Sequence, residues 1–259
     1  MKFKNWPESF ELFLSEIGNL VLFTSNVVRQ FIRAPFEYRE IIRQGYYIGN
    51  KTMPLVGITA FIMGLVLTLQ SRPVLLDFGA VTLLPGMVAV SIIREIGPVI
   101  TALLCAGKIS SGIGAELGAM KVTEQLEAME VSGTKPLNYV VATRVLSTTF
   151  LVPILVFIAD GIGLLGSFIA INLHEKMSLV LFFSQAFDSL EFYDIIPATA
   201  KTFFFGFFIG LIGTYKGYKT GQGTEAVGLS ANSAVVTASL AIFLIDLIAV
   251  QLSNLIYGI

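Results

Sequence analysis

Charge is what this chain has least of. Aspartate, glutamate, lysine and arginine make up 14% of its 259 residues, against roughly 25% in soluble domains. So few charges cannot give a water-facing surface to a chain that is 54% hydrophobic, which excludes an ordinary soluble enzyme. Cysteine is scarcer still. Cys105 stands alone inside an apolar run, excluding a disulfide scaffold and a cysteine-rich metal site. The single histidine, His174, lies beside Glu175 and reads as a solvated loop residue, so no metal is expected. With a net charge of -1 there is no basic excess to attract nucleic acid.

What the chain has in abundance is apolar length. Its mean hydropathy is +0.78, and a membrane span needs about 20 mostly apolar residues. Five runs qualify, at 52–70, 83–107, 145–173, 198–215 and 231–257. The third exceeds a straight span and predicts a tilt or a bend at Pro153. Residues 1–45 differ, because Glu8, Glu11 and Glu16 interrupt the apolar residues before a core-length run develops. This stretch does not read as a signal peptide; Phe10, Phe13, Leu14, Ile17 and Val21 recur there at helical spacing, predicting an amphipathic helix in the headgroup region, with a sixth span as the alternative. Arg29, Arg33, Arg39 and Arg43 then form a basic connector to the five-span bundle, 52–257. No composition shift divides the chain, so 1–259 reads as one all-α membrane domain.

Positive residues stay cytoplasmic, and here they are strongly one-sided. One set of segments carries Lys2, Lys4, Arg29, Arg33, Arg39, Arg43, Lys51, Lys108, Lys121, Lys135, Arg144, Lys216 and Lys219. The other carries Arg72 and Lys176, with Lys201 at the membrane edge. The N-terminus and segments 108–144 and 216–230 are therefore expected inside. With no Arg/Ser-rich leader, the expected location is a bacterial inner membrane.

Segment 113–131, IGAELGAMKVTEQLEAMEV, is rich in helix formers and reads as one helix between spans two and three. At about 100° per residue, Glu116, Glu124, Glu127 and Glu130 share an arc of roughly 120°, with Val122, Leu126 and Met129 opposite. No lysine is expected to balance that acidic face, which suits contact with a cationic surface on another protein.

These residues carry a resemblance. An Arg-Glu-x-Gly-Pro element at 94–98 is followed by Ala-Glu-x-Gly-x-Met at 115–120 and Thr-Glu-Gln-x-x-Ala-Met at 123–129. From about residue 45 onward the chain closely resembles the MlaE family, the permease subunits of lipid-transporting ABC systems. The resemblance implies a homodimer enclosing a phospholipid or similar lipid, and ATPase subunits that supply ATP and Mg chemistry this chain lacks. It also implies an extracytoplasmic MCE-type lipid carrier and a small STAS-like regulatory subunit. Segment 113–131 becomes a coupling helix, with Glu116, Glu124, Gln125, Glu127 and Glu130 toward the ATPase.

Ionisable groups inside spans are costly and mark functional candidates. Arg94 and Glu95 lie in span two, Asp160 in span three and Asp246 in span five, with Lys201 entering span four. Neighbours in a helix point about 100° apart, so Arg94 and Glu95 each need a partner on another helix. The expected pairs are Arg94 with Asp246 or Asp160, and Glu95 with Lys201. Pro98 frees the Arg94 carbonyl from its usual amide donor. Ile242, Asp246, Ala249 and Ser253 share one face of span five, and Gly206, Gly210, Gly213 and Gly217 form a close-packing stripe on span four. Phe203, Phe204, Phe205, Phe207 and Phe208 suit lipid tails.

Two intramembrane aspartates raise the question of a protease, but FIADGIG and FLIDLIA lack the Tyr-Asp and Gly-x-Gly-Asp settings of that chemistry. GTYKGYKTGQG does not meet the spacing of a phosphate loop, so this chain is not expected to hydrolyse ATP or to act as an enzyme. A non-transporting scaffold would leave the buried charges unexplained. The reading is an ABC permease subunit; the alternative is a proton-driven carrier using Glu95, Asp160 and Asp246.

Overall fold

A computed structural model describes residues 8–31 and 37–257, with side chains from Leu14 onward. Lys2, Lys4 and Arg33, counted above, lie outside the described residues, as do the side chains of Phe10 and Phe13. No strand occurs among the described residues. The helices are α1 Glu8–Phe31, α2 Tyr38–Asp77, α3 Val81–Val122, α4 Gln125–Val131, α5 Leu137–Asn172, α6 Leu179–Asp188, α7 Phe192–Tyr218 and α8 Thr224–Tyr257. Five of them, α2, α3, α5, α7 and α8, are long and apolar enough to cross a membrane. They hold the five runs read from the sequence, the third of which ends one residue beyond α5, and this is an all-helical, multi-pass membrane protein.

Two boundaries differ from the expectation. The basic connector is not a connector throughout: Arg39 and Arg43 belong to the first turns of α2, where Glu40 pairs with Arg43 and accepts a hydrogen bond from Gln44. The single helix over 113–131 does not form either. Residues up to Val122 continue α3, and a break at Thr123 and Glu124 separates them from α4.

Lys51 and Lys108 line one cleft of about 720 Å³ between α2 and α3, which fixes a common level for the two helices. Arg72 lies 21 residues beyond Lys51 and pairs with Glu175 at 3.2 Å. At 1.5 Å per residue the two levels are about 31 Å apart, one hydrocarbon thickness. The end carrying Arg43, Lys51, Lys108, Arg144, Lys216 and Lys219 is called the basic end below.

Packing runs α2 on α5, α5 on α7 and α7 on α8, with α3 against α7 and α8. Small residues bring the backbones together. A methyl group on Gly64 would overlap the Gly163 carbonyl, and one on Gly166 the Phe61 carbonyl, so α2 and α5 meet almost backbone to backbone. Thr68 donates to Ser167 across that contact at 2.7 Å. On α7, Gly206 and Gly210 face Thr148 of α5, while Gly213 and Gly217 face Ser110 and Gly114 of α3. One stripe therefore seats α7 against two neighbours. Gly206→Val puts a branched side chain where the Thr148 carbonyl stands. It is expected to cost about 1–3 kcal/mol or more through overpacking, read as a lowered unfolding midpoint in detergent. Among the phenylalanines of α7, Phe204 is exposed and suits lipid, but Phe205 is fully buried in the core, against the expectation for it.

Helix α1 lies against the basic end. Val27 is buried, Phe23 meets the rings of Tyr215 and Tyr218 at 5.4 and 6.1 Å, and Lys216 donates to Glu16 at 2.8 Å. Leu14, Ile17, Val21 and Leu22 are left exposed on the other side. The hydrogen bond from Lys216 lowers the Glu16 pKa below its ordinary 4.5. A carboxyl whose pKa is lower docked than released favours docking above the released value and loses that preference as pH falls through the docked one. The protection factors of the amides around Glu16 are therefore expected to fall below about pH 4.5, and Glu16→Gln to remove that fall.

Candidate functional site

The intramembrane charges gather where α3, α7 and α8 meet. Pro98 cannot donate to the Arg94 carbonyl, and Gly97 N–H reaches back five residues to the Ile92 carbonyl, opening a π turn over Ile92–Ile96. That turn carries Arg94 and Glu95. Glu95 accepts from Lys201 at 2.6 Å, the pairing expected from the sequence, and Asp246 accepts from the same ammonium at 2.8 Å. Lys201 is 4% exposed and Glu95 39%, so a buried cation is bracketed by two carboxylates, one open to the outside of the bundle.

Arg94 departs from the expectation. Its partner is neither Asp246, which Lys201 holds, nor Asp160, but Asp194 at 3.4 Å. Asp194 is 2% exposed and also accepts from the Glu191 amide at 3.1 Å, as half of the capping box that starts α7. Asp194 and Lys201 are seven residues apart on α7 and share a face, which is why one helix supplies the partners of both Arg94 and Glu95. Ala249 and Ser253 of α8 line the same narrow cleft, while Ile242 of that face is buried in the core. Glu95 lies thirteen residues from Lys108, about 20 Å from the basic level and about 12 Å from the opposite one. The cluster therefore sits off-centre, away from the basic end.

Asp160 stands apart. It approaches α3 at Gly97, where a Cβ would overlap its Oδ1, and that oxygen is buried without a hydrogen-bond partner. Pro98 is buried and, with Asp160, lines a cavity between α3, α5 and α7.

At the basic end the expected continuous acidic face is divided. Arg144, 5% exposed, donates to Glu116 at 2.7 Å, tying the start of α5 to the last turns of α3. Lys121 pairs with Glu127 and holds its carboxyl below the usual range, so the face does have a balancing lysine. Glu124 adopts a left-handed φ of 59°, rare for a residue with a Cβ, and this turns α4 away from the line of α3. Leu126 is buried and Met129 packs on the core, which orients what remains outside. Glu124, Gln125, Glu130 and Val131 are exposed, Val131 to 91%.

Known proteins locate this architecture. Residues 41–252 match the family model described as Permease MlaE. A probable ABC transporter permease of Rickettsia typhi is 34% identical, with 93% of each chain covered. A probable ABC transporter permease of Synechocystis is 30% identical, covering 91% of this chain and 90% of its own. The intermembrane phospholipid transport system permease protein MlaE of Haemophilus influenzae is 32% identical, covering 89% of this chain and 88% of its own. A family match over most of the chain, with relatives of that identity and coverage, means that this five-span protein belongs to the MlaE permease family and is an ABC transporter permease subunit.

Proposed function

We infer that this chain moves phospholipid between its own membrane and an extracytoplasmic MCE-type carrier, as a homodimer driven by separate ATPase subunits. The observation that carries the lipid part is the similarity, over nearly the whole chain, to a permease named for intermembrane phospholipid transport. The geometry supports it. Arg94 is partly exposed and makes one long contact to Asp194, leaving guanidinium donors to meet a lipid phosphate. The least buried spans, α2 and α8, offer long apolar faces to acyl chains and to a second copy.

The basic end faces the cytoplasm in this reading, with α1 lying at the headgroup level of the inner membrane and its exposed apolar stripe toward lipid. The ATPase docks around Glu124, Gln125, Glu130 and Val131, and a small STAS-like subunit attaches on the ATPase side. Closure of the ATPases then pushes on α4, and the Arg144–Glu116 pair passes that push to α3 and α5 together. At the far end of α3 the ion pairs to α7 and α8 exchange partners as the helices shift.

Native mass spectrometry of the protein extracted gently from its host membrane tests the assembly. The expected complex holds two copies of this chain, two ATPase-sized subunits and phospholipid. A lone monomer or homodimer under the same mild extraction would favour the proton-driven carrier instead.

A further inference from the structure

A second cavity lies away from the ion cluster, between α3, α5 and α7, with a volume of about 290 Å³. That is close to the lower end of the roughly 300–1,000 Å³ typical of small-molecule sites. Its wall is almost wholly apolar, built by Ile93, Pro98, Phe157 and Ala198 among others, and its one ionisable group is Asp160. Asp160 is 8% exposed, and its Oδ1 has no hydrogen-bond partner.

An unpartnered carboxyl oxygen in an apolar wall is costly in either protonation state. The anion lacks a cation, because Lys201 is committed to Glu95 and Asp246 and Arg94 to Asp194. Protonation removes the charge but still leaves a buried carbonyl-type acceptor without a donor. Oδ1 packs against Gly97, so a hydrogen-bond donor from outside the chain meets this carboxyl at its other oxygen, from the cavity that Asp160 lines. Thr199 and Thr202 are the other polar side chains of the wall, and the rest of it is apolar, which suits a ligand with a small polar head and an apolar body.

The surroundings select the rest of the ligand. Phe157 and Phe187 at the rim are more than half exposed, and Gly161 beside them has open space at its Cα, so the cavity opens through the outer face of the bundle. In a membrane-spanning helix that face meets lipid.

We propose that this cavity is a side-entry lipid site, separate from the ion cluster, which takes an amphiphile whose head donates a hydrogen bond to Asp160. The head is a hydroxyl or a primary ammonium, and the apolar body fills the pocket. Asp160 itself packs against Gly97, the residue that closes the π turn carrying Arg94 and Glu95, so a ligand that holds the Asp160 carboxyl bears on that turn through Asp160.

The test uses the full chain in lipid nanodiscs and three photoreactive probes of equal chain length: a long-chain alcohol, the matching primary amine and the matching methyl ether. Saturable labelling of the 153–164 and 195–202 peptides by the alcohol or the amine, at least tenfold above the ether, is the expected result. Which of the two labels identifies the head. Asp160→Leu should reduce labelling to the ether level, whereas Asp160→Asn should keep the alcohol and lose any preference for the amine. Equal labelling by the ether, no labelling of these peptides, or labelling unchanged by Asp160→Leu would each overturn the proposal. Should Asp160→Leu fail to fold, the ratio of donor probe to ether on the unaltered chain still decides. Binding is read without ATPase or carrier, so this result stands or falls apart from the transport reading.

Discussion

Lys201→Met is expected to reduce lipid transfer below a tenth of its normal rate and to lower the unfolding midpoint by about 5–15 °C. The ammonium is almost fully buried and is the shared partner of Glu95 and Asp246. Removing it leaves two carboxylates without a cation in a low-dielectric bundle. Breaking a buried pair in this way costs about 3–5 kcal/mol, enough for a shift of that size. Stability alone does not separate a static brace from a working part, so a second variant is needed. Lys201→Met with Glu95→Gln and Asp246→Asn removes the charges together and is expected to regain most of the midpoint. The account predicts that transfer stays lost in this triple variant, because the ion pairs must exchange partners as the helices shift. A triple variant that folds and transports normally would reduce the cluster to a brace.

The second large effect belongs to α4. Glu124→Lys, Glu130→Lys and Val131→Asp together are expected to weaken ATPase association more than 100-fold, read by co-purification and by ATP-driven transfer. The three residues are exposed, and Glu130 alone of them has a side-chain hydrogen bond, to Tyr218. Surface changes of this kind usually move stability by less than about 0.5 kcal/mol. Reversing charge across a complementary interface, by contrast, costs several kcal/mol. Glu127→Gln is the internal comparison, since Glu127 is already held by Lys121 and its loss should affect docking much less. Association at the normal level in the triple variant would remove the exposed face of α4 from the ATPase contact.

Those two expectations rest on different degrees of legibility. The five spans were visible in the sequence because apolar length is a one-dimensional property, and the Glu95–Lys201 pair because an intramembrane carboxylate needs an opposite charge on another helix. Arg94–Asp194 was not visible. The apolar run was read from residue 198, which left Asp194 in a loop, although Glu191 and Asp194 have the spacing of a capping box that starts the helix earlier. The single coupling helix failed for a subtler reason. Helical periodicity was carried unbroken through Thr123 and Glu124, and nothing in the composition announces a left-handed glutamate. With the phase lost there, Glu116 and Glu127 moved off the shared face and into separate ion pairs. Asp160 was read as a partner for Arg94 because both are charged and intramembrane. Its actual neighbour is a glycine whose missing side chain makes the approach possible.

The most direct measurement places this chain in vesicles with its ATPase and its carrier and follows transfer of a fluorescent phospholipid between membrane and carrier. The account predicts transfer that requires ATP hydrolysis, persists when the pH gradient is collapsed, and disappears in the Lys201 and α4 variants. Transfer driven by an imposed pH gradient, with no nucleotide present, would contradict it.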